Sequence, residues 1–138
     1  MAEIILKGRT VPLLYTVYEM KQIQEEIAPI NRAMAIILGK NPDDEEDLSL
    51  YMGAKHLEAA AKLIKILGNA GLEEAGENPD LTEKKILRAL KPVDMIEAIT
   101  FCMDAMAEGM ASEIPAKKET GPVDVVLEEI KKNETADE

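Results

Sequence analysis

The stretch LSLYMGAKHLEAAAKLIKIL, residues 48–67, constrains this chain more than any other. Leu50, Ala54, Leu57, Ala61 and Ile64 recur at spacings of four, three, four and three. That is the period of one helix face, not of a strand. Leu63 and Leu67 widen the stripe towards the face of a globular helix. Alanines at 54, 59, 60 and 61 let a second helix approach closely. The pattern predicts a long helix from about Asp47 to Leu67, ended by Gly68 or Gly71. A second seam lies in KPVDMIEAITFCMDAMAEGM, residues 91–110, where Ile96, Ile99, Met103, Met106 and Met110 step by three, four, three and four. This helix is expected to start near Pro92 or Asp94 and to run to about Ala111.

Two such seams need helices to pack against, and the composition agrees. The 138 residues suit one domain. The aromatics are only Tyr15, Tyr18, Tyr51 and Phe101, so the core must be aliphatic. The expected fold is mainly α: a compact domain of about five helices over 1–111, with a short N-terminal β-hairpin at 3–15. In EIILKGRTVPLLY, Lys7-Gly8-Arg9-Thr10 is the expected turn, and Pro12 confines the second strand to an edge or bulge. Thr16-Val17-Tyr18-Glu19 reads as a capping box opening a helix that Pro29 stops. NRAMAIIL is a short helix ending at Gly39, and TEKKILRAL another, capped within Asp80-Leu81-Thr82-Glu83. Residues 112–138 are expected to be a linker, a short helix over 122–132 and a flexible acidic tail.

The net charge of −11 excludes several partners. It repels phosphate backbones and anionic lipid surfaces, so neither nucleic acid nor membrane is an expected partner. Residues 1–42 carry a net +1, 43–111 a net −8 and 112–138 a net −4. The run NPDDEED lacks the alternating ligands, bend glycine and distant glutamate of a calcium loop. Its expected role is to complement the N-terminus of the long helix. With no signal-like leader and no apolar run of about 18 residues, the expected location is the cytoplasm.

Little in the chain points to chemistry. One cysteine and one histidine allow no internal disulfide and no His/Cys metal site. Cys102 lies beside the second seam, where a buried, inert thiol is expected, and His56 lies on a mixed face, solvated or half-buried. Nothing supplies a third group to orient a dyad, and no phosphate-binding glycine motif is present. No catalytic residue, metal ligand or cofactor is assigned. The methionines admit two readings. They fill a core, or they form an adaptable surface for another protein, and a homo-oligomer buries the same stripe between subunits. The candidate partner-binding residues are therefore Ile96, Ile99, Met103, Met106 and Met110 on one seam and Leu50, Leu57 and Ile64 on the other.

Two stretches carry a resemblance. EIILKGRTVPLLYTVYEMKQIQEEI is a hairpin leading into a capped helix, and LTEKKILRALKPVDMIEAITFCMDAMAEGM is a short helix, a proline-marked break and a longer apolar helix. In this order of elements the chain resembles the tail assembly chaperones of long-tailed bacteriophages, over about residues 3–111. The resemblance implies a non-enzymatic, mostly helical, cytoplasmic protein. It implies that the protein binds and solubilises the tape-measure protein, a long apolar helical polypeptide, until the tail tube polymerises around it. A longer frameshift product would contact the tail tube protein. This chain's size and acidic end match the short form, and Lys131-Lys132-Asn133 fits an A-rich slip site in the gene. The alternative is a helical protein-interaction or regulatory module, a homo-oligomer or an acidic inhibitor, unrelated to tails.

Overall fold

The computed structural model describes residues 2–44 and 46–111. The linker, short helix and acidic tail expected over 112–138, and the Lys131-Lys132-Asn133 triplet, lie outside the described residues. Within them the chain is mainly helical, with five α-helices and a two-stranded antiparallel N-terminal hairpin. The strands are β1, Glu3–Leu6, and β2, Arg9–Pro12. Their turn is tighter than expected. Only Lys7 and Gly8 form it, at φ of 49° and 81°, the left-handed pair that matches strand twist. Arg9 and Thr10 already belong to β2.

Helix α1, Val17–Glu26, begins at the expected capping box, in which the Glu19 carboxylate accepts from the Thr16 N–H at 2.8 Å. Helix α2, Ile30–Ile37, ends in a Schellman motif. The Gly39 N–H reaches the Ile36 carbonyl and the Lys40 N–H the Ala35 carbonyl, with Gly39 at φ 80°.

Helix α3 spans Ala54–Glu74, displaced at both ends from the expected range. The acidic run does not open it. Asn41, Asp44 and Asp47 instead accept backbone N–H bonds from residues two further on, Asp43, Glu46 and Ser49. Short polar side chains that bond their own backbone this way compete with helix formation. Met52 then takes a left-handed φ of 60°, and the helix starts after Gly53. At the other end, Gly68 and Gly71 lie inside the helix. It stops at Gly76, φ 77°, where the Glu77 N–H bonds the Leu72 carbonyl.

Those two internal glycines have a packing cause. Each costs α3 about 1 kcal/mol against alanine. At Gly71 a Cβ would sit 1.8 Å from the Pro12 carbonyl oxygen, and at Gly68 2.6 Å from Leu81 Cδ1. The chain leaving β2 therefore lies directly on the helix backbone, and the Leu14 N–H donates to the Leu67 carbonyl at 3.1 Å.

Helix α4, Glu83–Ala89, is capped by Thr82. The loop before it is held by the Asn69 side chain, which bonds both the N–H and the C=O of Leu81. A 3-10 turn at Pro92–Asp94 leads into α5, Met95–Met110. Near the end of α5, a Cβ at Gly109 would lie 2.2 Å from the Tyr15 carbonyl oxygen. Segment 11–15 is thus clasped between α3 and α5. Lys65 adds a charged clamp on α3, pairing with Glu26 at 2.7 Å and Glu83 at 3.5 Å. Burial opposes its charge, but these partners outweigh it and raise its pKa above the usual lysine value.

A Gly71→Ala variant tests the clasp. Propensity alone would stabilise α3, but a Cβ against the Pro12 carbonyl should destabilise the fold by about 1–3 kcal/mol in urea denaturation. A Glu73→Ala control, at an exposed position of the same helix, should stay within about 0.5 kcal/mol of the parent. A stabilised Gly71→Ala would contradict the close approach.

Candidate functional site

The structure divides the eight candidate partner-binding residues. Ile64, Ile99 and Met106 are core residues. Leu57 and Met103 are half-buried against that core. Leu50 is half-buried and lies before α3, so the first seam is not one helix face. Ile96 and Met110 are exposed, at 51% and 72%. The buried stripe of α5 is Met95, Ala98, Ile99, Cys102, Ala105 and Met106, rotated by part of a turn from the expected seam.

This rotation gives α5 three faces. The inner face carries that stripe. An outer line of Val93, Ile96, Thr100, Met103, Ala107 and Met110 runs at three–four spacing from the 3-10 turn to the helix end; Met103 is half-buried and the others are exposed. A third line, Asp94, Glu97, Phe101 and Asp104, lies along a groove beside β1. The sequence held both further lines at helical spacing. The stronger apolar period overlies the acidic one in the sequence.

The one histidine and the one cysteine are both built into the structure. His56 is 1% exposed, not half-buried as expected. It stands at the third position of α3, where a capping box places Glu, and its Nδ1 accepts the Met52 N–H at 2.7 Å. Gly53 before it offers no side-chain cap. The imidazole stacks on Tyr51, with ring centroids 5.5 Å apart. Its Nε2 is buried and, among the described residues, meets no partner of hydrogen-bonding geometry. Burial lowers its pKa below the ordinary histidine value, and the Ile37 backbone offsets part of that effect. Cys102 is fully buried, and burial pushes its thiol up to about 12, so it stays protonated at neutral pH. Among the described residues, no three His, Cys, Asp or Glu side chains gather to hold a metal ion. No helix among them is long and apolar enough to cross a membrane.

Two grooves of opposite sign flank α4. One, of about 540 Å³, lies between β1 and α5 and carries Glu3, Asp94, Glu97 and Asp104. The other, of about 510 Å³, lies beside the hairpin turn and carries Lys7, Arg9, Lys84, Lys85 and Arg88. Of these bases, Arg9 is paired with Asp80 at 2.8 Å. Net charge conceals this separation. The hairpin brings Lys7 and Arg9 beside α4, from which they are some 75 residues distant in sequence. No family model, no curated protein and no solved structure matches the chain.

His56 makes stability depend on pH. Its folded pKa is depressed, so the unfolded chain takes up the proton first. The stabilisation is complete above the unfolded pKa of about 6.5 and declines as pH falls below it. Denaturation midpoints should be level from pH 8 to about 7 and fall towards pH 5. A His56→Gln variant should start less stable and lose that slope. An unchanged slope would show that His56 does not carry it.

Proposed function

We propose that this protein is a non-enzymatic tail assembly chaperone of a long-tailed bacteriophage, and that it holds an apolar helical segment of the tape-measure protein on the outer face of α5. The observation that carries this reading is the line from Val93 through Ile96 and Met103 to Met110. These are apolar side chains at helical spacing, with Val93, Ile96 and Met110 exposed to solvent. Small residues, Thr100 and Ala107, lie between them and allow close approach. A client helix laid along such a line engages it by i, i+3, i+4 and i+7 anchors. Flexible methionines at two of its positions tolerate variation in the client sequence. The many surface carboxylates keep the chaperone and its bound client dispersed.

The fold also bears on the resemblance. Its two stretches are separated in sequence but adjacent in space. β1 packs on α5, and the Ala2 N–H donates to the Glu108 carboxylate at 2.7 Å. The hairpin is therefore the part of the first stretch that meets the second. Binding is envisaged as reversible, so that tail-tube subunits displace the chaperone, and several copies on one client gain by avidity.

Co-expression with the long helical protein encoded downstream tests the reading. The parent chain should keep that protein soluble and co-purify with it. The double variant Ile96→Glu/Met110→Glu should fold, with stability within about 0.5 kcal/mol of the parent for each exposed site, and lose capture. Met106→Glu places an unpaired charge in the core and should unfold the domain instead. Capture that survives the double variant, or a parent that leaves client solubility unchanged, would contradict the proposal.

A further inference from the structure

Among the described residues strand β1 has a free edge. It pairs there with β2 alone, in the register Ile4↔Val11 and Leu6↔Arg9. Across a two-residue turn, the flanking pair Leu6 and Arg9 exchanges both backbone hydrogen bonds, and the exchange recurs at alternate pairs. Ile4 therefore bonds Val11, whereas the N–H and C=O groups of Glu3 and Ile5 point away from β2. Pro12, which has no N–H, stands opposite Glu3 and fits this alternation. Among the described residues, no other element supplies those outward groups with a backbone partner. Edges of this kind are usually blunted by lysine, proline or a bulge. β1 reads EIIL and has none of them, and Ile5 is 65% exposed.

The 540 Å³ groove lies along this edge. Leu90, Ala98 and Phe101 give it apolar lining, and Glu3, Asp94, Glu97 and Asp104 surround that lining with carboxylates. Among the described residues no lysine or arginine lines it, and none of the four carboxylates makes an ion pair. Unsatisfied backbone groups specify an extended chain, the apolar lining specifies hydrophobic side chains, and the rim specifies positive charge. We propose that the groove binds an extended peptide of basic and apolar residues, which adds to β1 as a third strand. A second copy of this chain is a poor occupant, because β1 against β1 sets the same acidic rims face to face. The inference uses a different face of α5 from the client line and does not rest on the tail-assembly reading.

The probe is a short fluorescent peptide of alternating lysine and valine, titrated into the full chain and followed by anisotropy. Saturable binding that weakens with salt is expected, and an unlabelled peptide of alternating glutamate and valine should not compete. N-methylating the peptide amides that face β1 should weaken binding about tenfold, the equivalent of one or two lost hydrogen bonds. N-methylating the intervening amides should change it little. Ile5→Pro removes an outward donor without touching the β1–β2 ladder and should weaken binding similarly, as should Glu97→Lys with Asp104→Lys. The N-methyl pair is read on the unaltered protein, so misfolding of a variant does not blur the result. Absence of binding, equal binding of both N-methylated peptides, or binding unaffected by charge reversal in a folded variant would overturn the proposal.

Discussion

Segment 11–15 passes between two helices at distances that leave no room for a side chain. Gly71 on α3 meets the Pro12 carbonyl and Gly109 on α5 meets the Tyr15 carbonyl, with Gly68 beneath Val11 and Leu81. This clasp fixes the hairpin against the helical layer. It buries Val11, Leu13 and Tyr15 in the same aliphatic core as Leu63, Ile64 and Leu67. It also sets β2 against α3 and β1 against α5. The free edge, the acidic groove and the orientation of α5 follow from where that segment lies.

Much of the helical architecture could be read from local chemistry. The capping box at Thr16, the Schellman stop at Gly39, the Thr82 cap and the proline break before α5 are encoded within a few residues each, and each forms. The failures share a different cause. Gly68 and Gly71 look like terminators because a local rule assigns glycine to helix ends. The role of Gly71 is set by a strand some 60 residues away in sequence, and that of Gly68 by Leu81 together with the same strand, which no window of helical period contains. The acidic run looks like a helix start because its charge suits the macrodipole, but its side chains bond their own backbone more effectively. His56, whose sequence neighbours give no sign of burial, supplies the side-chain cap at the start of that helix.

The candidate site was half legible for a related reason. A three–four pattern identifies a helix face but not which of several overlapping faces meets the core. On α5 the small residues Ala98, Cys102 and Ala105 pack inward, where helices approach closely. The bulkier Ile96 and Met110 are left outside. That choice separates the core positions of α5 from its exposed ones. The one imidazole caps a helix, and the one thiol is sealed by burial.

In the proposed function, α5 separates a fixed core face from an outward methionine face that holds a client. The most direct measurement is a methyl NMR spectrum of the methionines, recorded while the client polypeptide is titrated in. Met103 and Met110 should shift and broaden with added client, while the buried Met95 and Met106 stay in place. Movement of the buried pair together with the outer pair, or no movement of Met110 as client binds, would contradict it.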